Sequence, residues 1–74
     1  MEKHPTPICK IAGQNIRALR QRLGISQEEL AELCDLHRTY IGSVERGERN
    51  ITLKTLKQIA GALKVKAETL IKDV

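Results

Sequence analysis

The amino-acid sequence predicts an all-α fold: a compact domain of five short helices. Three observations carry that expectation. Apolar residues recur at helical spacing along most of the chain, no stretch alternates as a strand does, and the core-forming residues are Leu, Ile, Val and Ala with a single aromatic, Tyr40, and neither Phe nor Trp. At 74 residues only one domain is reasonable, and the length excludes most enzymes. The first seven residues, with Pro5 and Pro7 and no periodicity, read as a flexible arm, followed by a single domain over 8–74.

In the first helix Ile8, Ile11, Ala12, Ile16, Leu19 and Leu23 form one apolar stripe, which Gly24 ends. Ser26, with Glu29 three positions on, forms a capping box that opens a second helix almost at once. Leu30, Leu33 and Cys34 are its buried stripe, and Asp35 falls where the chain must turn, a residue that tolerates the left-handed conformation. A third helix follows from Arg38 to Arg46, with Ile41 and Val44 inward and Gly47 closing it. The fourth carries Leu53, Leu56, Ile59, Ala60 and Leu63, with Thr52 as N-cap. Ala67, Leu70, Ile71 and Val74 mark a fifth that is too short to stand alone and must pack on something.

Two short helices separated by about three residues cannot run antiparallel over much length, so a steep crossing, the helix-turn-helix geometry, is expected between Ser26 and Gly47. With Ile41 and Val44 inward, the outer face of the third helix presents Arg38, Thr39, Ser43 and Arg46, with Gly42 on or near it. Those types suit DNA: a guanidinium that reads guanine bidentately, two hydroxyls and a phosphate-seeking cation. Glu45 borders the buried face and needs a cation; Arg20 borders the buried face of the first helix and is the expected partner.

Charge alone decides little. Thirteen Lys and Arg against nine Asp and Glu leave +4, with an acidic island over 28–37 that places Glu28 and Glu29 near the second helix's N-terminal dipole. No apolar run approaches the roughly 20 residues of a membrane span, and the start of the chain lacks a secretory h-region, which points to the cytoplasm. Cys9 and Cys34 lack metal-ligand spacing and read as reduced, buried thiols; Cys34, Asp35 and His37 offer an enzyme or metal site only weakly, so no catalysis, metal, cofactor or small-molecule substrate is expected.

Two segments, IRALRQRLGISQEELAELCDL and HRTYIGSVERGERNITLKTLKQIAGAL, resemble the Cro/cI-type (xenobiotic-response-element) helix-turn-helix family, and within it the controller proteins of restriction-modification systems. The resemblance implies a lambda-repressor-like fold and a homodimer that regulates transcription from a pseudo-palindromic operator. It also implies activation and repression of its own and the endonuclease gene, with RNA polymerase a partner when activating. By resemblance Gln27 meets a phosphate, Arg38, Thr39 and Ser43 read bases, Tyr40 lies at the DNA surface, and Arg46, Arg49 and Asn50 reach the backbone or nearby groove edges. Asp35 departs from the turn glycine common in the wider family, and Ser43 from the longer polar residue many relatives carry. The fifth helix, with Leu70, Ile71 and Val74 joined by Leu63 and Val65, is the expected dimer interface; capping of the monomer core is the competing role. A phage-type repressor or an antitoxin-like regulator with a protein partner is the rival function, and the chain's end at Val74 favours the stand-alone regulator.

Overall fold

Pro7 has the fixed φ and missing N–H that suit a first helical position, and with Thr6 extended before it the chain enters its longest helix there. The computed structural model describes residues 6–73, which form α1 (Pro7–Arg22), α2 (Gln27–Cys34), α3 (Arg38–Glu45), α4 (Leu53–Ala62) and α5 (Ala67–Leu70), with no strand among the described residues. Thr6 and Pro7 thus belong to the helical domain; the rest of the expected arm, 1–5, lies outside the described residues, as does Val74. None of these helices is long and apolar enough to cross a membrane.

The capping box forms as expected: the Ser26 hydroxyl accepts from Glu29 N–H at 3.0 Å and the Glu29 carboxylate accepts from Ser26 N–H at 2.8 Å. Thr52 caps α4 by accepting from Thr55 N–H at 3.1 Å. Helix ends share one device. At Gly24, Asp35, Gly47 and Lys64 the backbone turns left-handed, the N–H of that residue reaches the carbonyl three back, and the next N–H reaches the carbonyl five back. Lys64, with φ 63°, is the member of this set that the sequence did not reveal.

Every helix sends at least one fully buried side chain to a common core: Ile16 from α1, Leu30 from α2, Ile41 and Val44 from α3, Ile59 from α4 and Leu70 from α5. α3 lies against both α1 and α2, α4 packs on α2 and α5, and α5 closes back on α1. Gly13 permits the α1–α3 approach, because a Cβ there would fall on the carbonyl oxygens of Val44 and Glu45.

Several expected core positions are corrected. In α1 the buried stripe is Cys9, Ala12, Gly13 and Ile16; Ile8, about a hundred degrees round from Cys9, and Leu23, past the last turn, are exposed, and Ile11 is half-buried. In α2 the buried set is Leu30, Ala31 and Cys34, whose mean direction leaves Leu33 facing solvent, 63% exposed. The fifth helix is four residues long rather than the eight expected; the Asn15 amide donates to the carbonyls of both Leu70 and Lys72 at 2.9 Å, fastening the segment after it to α1 and taking up the Leu70 carbonyl that a longer helix would have used internally.

Candidate nucleic-acid interface

The expected ion pair is present. Arg20 Nε and Nη2 donate to the two Glu45 oxygens at 2.6 and 3.0 Å, a bidentate pair with 11% and 3% of the side chains exposed. Arg20 Nη1 donates at 2.9 Å to the Ile25 carbonyl, in the turn between α1 and α2. One guanidinium thereby joins α1, the turn and α3, and Glu45 raises the arginine's pKa above its ordinary value. Gln27 completes the cluster: its amide Nε2 donates to Glu45 Oε1 at 3.0 Å, so the side chain expected to meet a phosphate is turned inward. The Gln27 amide also lies over Gly42, which is buried rather than on the outer surface, with the Arg46 guanidinium on the same spot. The start of α2, whose dipole favours an anion, carries the exposed carboxylates of Glu28 and Glu29 in its first turn, with the Glu29 N–H already capped by Ser26.

With α3 held on two sides, its remaining surface is set. Arg38 and Thr39 are exposed in its first turn, and Arg46 is exposed just past its end, paired with Glu48 at 3.0 Å. Arg49 and Asn50 follow in the exposed connection to α4. Tyr40 is half-buried and packs against the core, with the Arg49 guanidinium 5.4 Å from its ring centroid. Asn50 is tied back to α1, its Oδ1 accepting from the Cys9 thiol at 3.1 Å.

Ser43 is corrected. It is 6% exposed, not on the outer face, and its hydroxyl donates to the Tyr40 carbonyl at 2.7 Å and accepts from Arg49 Nε at 3.1 Å. The connection that leaves α3 folds back over this position, with Glu48 N–H on the Ser43 carbonyl at 3.0 Å, and a helical wheel of α3 alone does not contain that segment. Two expected interface residues are also corrected: Leu63 and Leu70 belong to the monomer core at 3% and 0% exposure, where they close the α4–α5 corner. Val65 is half-buried against that core and Ile71 is 43% exposed.

Both cysteines are free and buried, and burial pushes the Cys34 thiol above its ordinary pKa, opposite to what a nucleophile needs. Among the described residues no three His, Cys, Asp or Glu side chains gather as metal ligands would.

A short helix packed on a second one, which is locked against the first helix of the domain by a buried ion pair and keeps an exposed basic N-terminal turn, defines a helix-turn-helix protein of the Cro/cI type, a class of DNA-binding transcription regulators. The helix-turn-helix family model HTH_3 matches residues 16–70, and the chain belongs to that family. It is 52% identical over 64 residues to the control protein C.SmaI of Serratia marcescens, covering 86% of this chain and 76% of that one. To the control protein C.BamHI of Bacillus amyloliquefaciens it is 47% identical over 60 residues, 80% and 74% of the two chains. Its fold superposes on the crystal structure of the restriction-modification controller protein C.AhdI from Aeromonas hydrophila with a TM-score of 0.81, at 44% identity and over 84% and 94% of the two chains.

Proposed function

We propose that this chain is the controller protein of a restriction-modification system, binding as a homodimer to a pseudo-palindromic operator and regulating both its own gene and that of the endonuclease. The observation that carries the reading is the exposed first turn of α3, where Arg38 and Thr39 stand on a helix fixed to α1 and α2 by the Arg20–Glu45–Gln27 cluster. A recognition helix lies in the major groove with its N-terminal residues on base edges, and Arg38 there suits guanine O6 and N7. Arg46, Arg49 and Asn50 stand at the other end of the helix, toward the phosphates and groove edges. The likeness to the C.SmaI and C.BamHI control proteins supports the regulatory role. RNA polymerase is the partner implied when the protein activates, the cytoplasm is its place of action, and no reaction is assigned to it.

One recognition helix reads too few bases to select a site, and a two-fold pair doubles the readout. With Leu63 and Leu70 in the core, the apolar surface available for self-association near the C-terminal end includes, among the described residues, Val65, in a shallow groove with Ala60, Gly61 and Ala67, and Ile71.

Selection of duplexes from a random pool tests the reading. Enrichment of a pseudo-palindrome is expected, with sedimentation at micromolar protein giving twice the 8.3 kDa chain. Arg38→Ala should lose roughly 1–3 kcal/mol of discrimination between selected and random duplex. Arg46→Ala should weaken both alike and lower the salt dependence. An unchanged ratio for Arg38→Ala removes it as a base reader, and the absence of any enriched sequence overturns the proposal. Genes for a methyltransferase and an endonuclease beside this one separate a controller from a phage-type repressor or an antitoxin.

A further inference from the structure

The single donor of the Ser43 hydroxyl is assigned in a way that constrains Arg49. A hydroxyl has one hydrogen, and that of Ser43 goes to the Tyr40 carbonyl at 2.7 Å; only its lone pairs remain, and one of them takes the Arg49 Nε–H at 3.1 Å. The guanidinium so held lies over the Tyr40 ring, 5.4 Å from its centroid. Among the described residues neither terminal nitrogen of Arg49 has a hydrogen-bond partner. A long side chain in an exposed connection would otherwise sample many rotamers, and ordering it on contact with DNA would cost affinity.

We propose that Ser43 is a positioning residue for Arg49: its buried hydroxyl ties down Nε so that the guanidinium is stacked on Tyr40 before DNA arrives, presenting its Nη1–Nη2 edge as a ready-made pair of donors. The inference rests on the reading of α3 as the DNA-contacting helix and adds a role that direct contact does not require. Ser43 itself touches no base. It acts through Arg49, and Tyr40 supplies the platform.

Tyr40 is the chain's single aromatic residue, so its near-ultraviolet circular dichroism reports this stack without interference. Ala is the best helix former, which keeps α3 intact in Ser43→Ala, and equal denaturation midpoints check this. In the DNA-free protein Ser43→Ala should shift the Tyr40 signal toward that of Arg49→Ala. On the duplex selected from the random pool, Ser43→Ala should bind about fivefold more weakly, the size of one modest hydrogen bond. The same substitution should add no further loss when placed in Arg49→Ala or in Arg49→Lys, which keeps the charge but has no Nε–H fork. A wild-type Tyr40 signal in Ser43→Ala, or losses that simply add, overturns the positioning role while wild-type operator binding stands. Failure of the wild-type protein to prefer any duplex overturns the DNA reading and this role with it.

Discussion

Glu45 shows how much a single side chain is asked to hold. Its carboxylate is nearly sealed from water and receives two bonds from Arg20 and one from Gln27, so three segments of chain meet on two oxygen atoms. Removing one partner from such a pair leaves an uncompensated buried charge, which costs more than the pair contributes. Arg20→Ala should therefore destabilise the fold by about 3 kcal/mol, measured in chemical denaturation. Adding Glu45→Gln to Arg20→Ala should recover part of the loss, because the stranded carboxylate is then neutral; an unchanged midpoint in Arg20→Ala, or no recovery in the double variant, would show that the pair does not fix α3. At this scale the sequence was partly legible. The pair could be inferred because both residues border apolar stripes on their own helices, a relation that spacing alone encodes. The inward turn of Gln27 could not, since it depends on how far α3 stands from the start of α2. Burial of Ser43 depends likewise on residues 46–50, which pass over it.

At four to ten residues, α2, α3, α4 and α5 are too short to stand alone, so helix ends matter as much as helix faces. Four of the five finish with a left-handed residue and the same paired hydrogen bonds, and they differ in how that residue bears the strain. At Gly47 there is no strain, and a Cβ would in any case press on Lys10, with its Cγ at 2.8 Å. Lys64 has neither the freedom of glycine nor the local hydrogen bonding of Asp or Asn, and a left-handed residue of that kind costs about 1–2 kcal/mol. Lys64→Gly should accordingly raise the denaturation midpoint, by up to about 1 kcal/mol after the added flexibility of the unfolded chain is subtracted. The opposite sign is expected at Gly13, where Ala would push α1 off the carbonyls of α3 and cost about 1–3 kcal/mol as overpacking does. A stabilised Gly13→Ala would mean that the α1–α3 approach is not as close as described. Caps and glycine stops were legible element by element, because Ser26, Thr52, Gly24 and Gly47 act on their own neighbours. Lys64 was not, since nothing in its chemistry announces a left-handed turn, and the tertiary packing of α5 imposes it. Leu33 and Ile8 were misread for a related reason: a periodic stripe gives a face but not its width, and each short helix buries only the arc its neighbours cover.

On the scale of the whole molecule, α3 packs on both α1 and α2 with Arg38 and Thr39 exposed in its first turn, and the proposed dimer raises the question of how two such units would be held on one duplex. The sequence suggested that Leu63, Val65, Leu70, Ile71 and Val74 would do it, but a 74-residue chain has little apolar mass to spare, and Leu63 and Leu70 are consumed in closing the monomer. In the proposed homodimer, a face built on Val65 and Ile71 that closes at micromolar protein would leave DNA to complete the assembly at lower concentrations, where adjacent half-sites bring the protomers together. Their recognition helices must then meet successive major grooves on one side of the duplex, about 34 Å apart. Inserting about five base pairs, half a helical turn, between the half-sites of the selected duplex rotates one site to the far face. Dimer binding should collapse to that of an isolated half-site, and an insertion of about ten should restore much of it if the protomers can span the added turn, or none if they are held rigidly. Ile71→Asp should leave half-site affinity unchanged while removing the dimer's advantage on the intact operator. If binding is indifferent to the five-pair insertion, in gel-shift or anisotropy titrations, the protomers act independently and the two-fold reading is wrong.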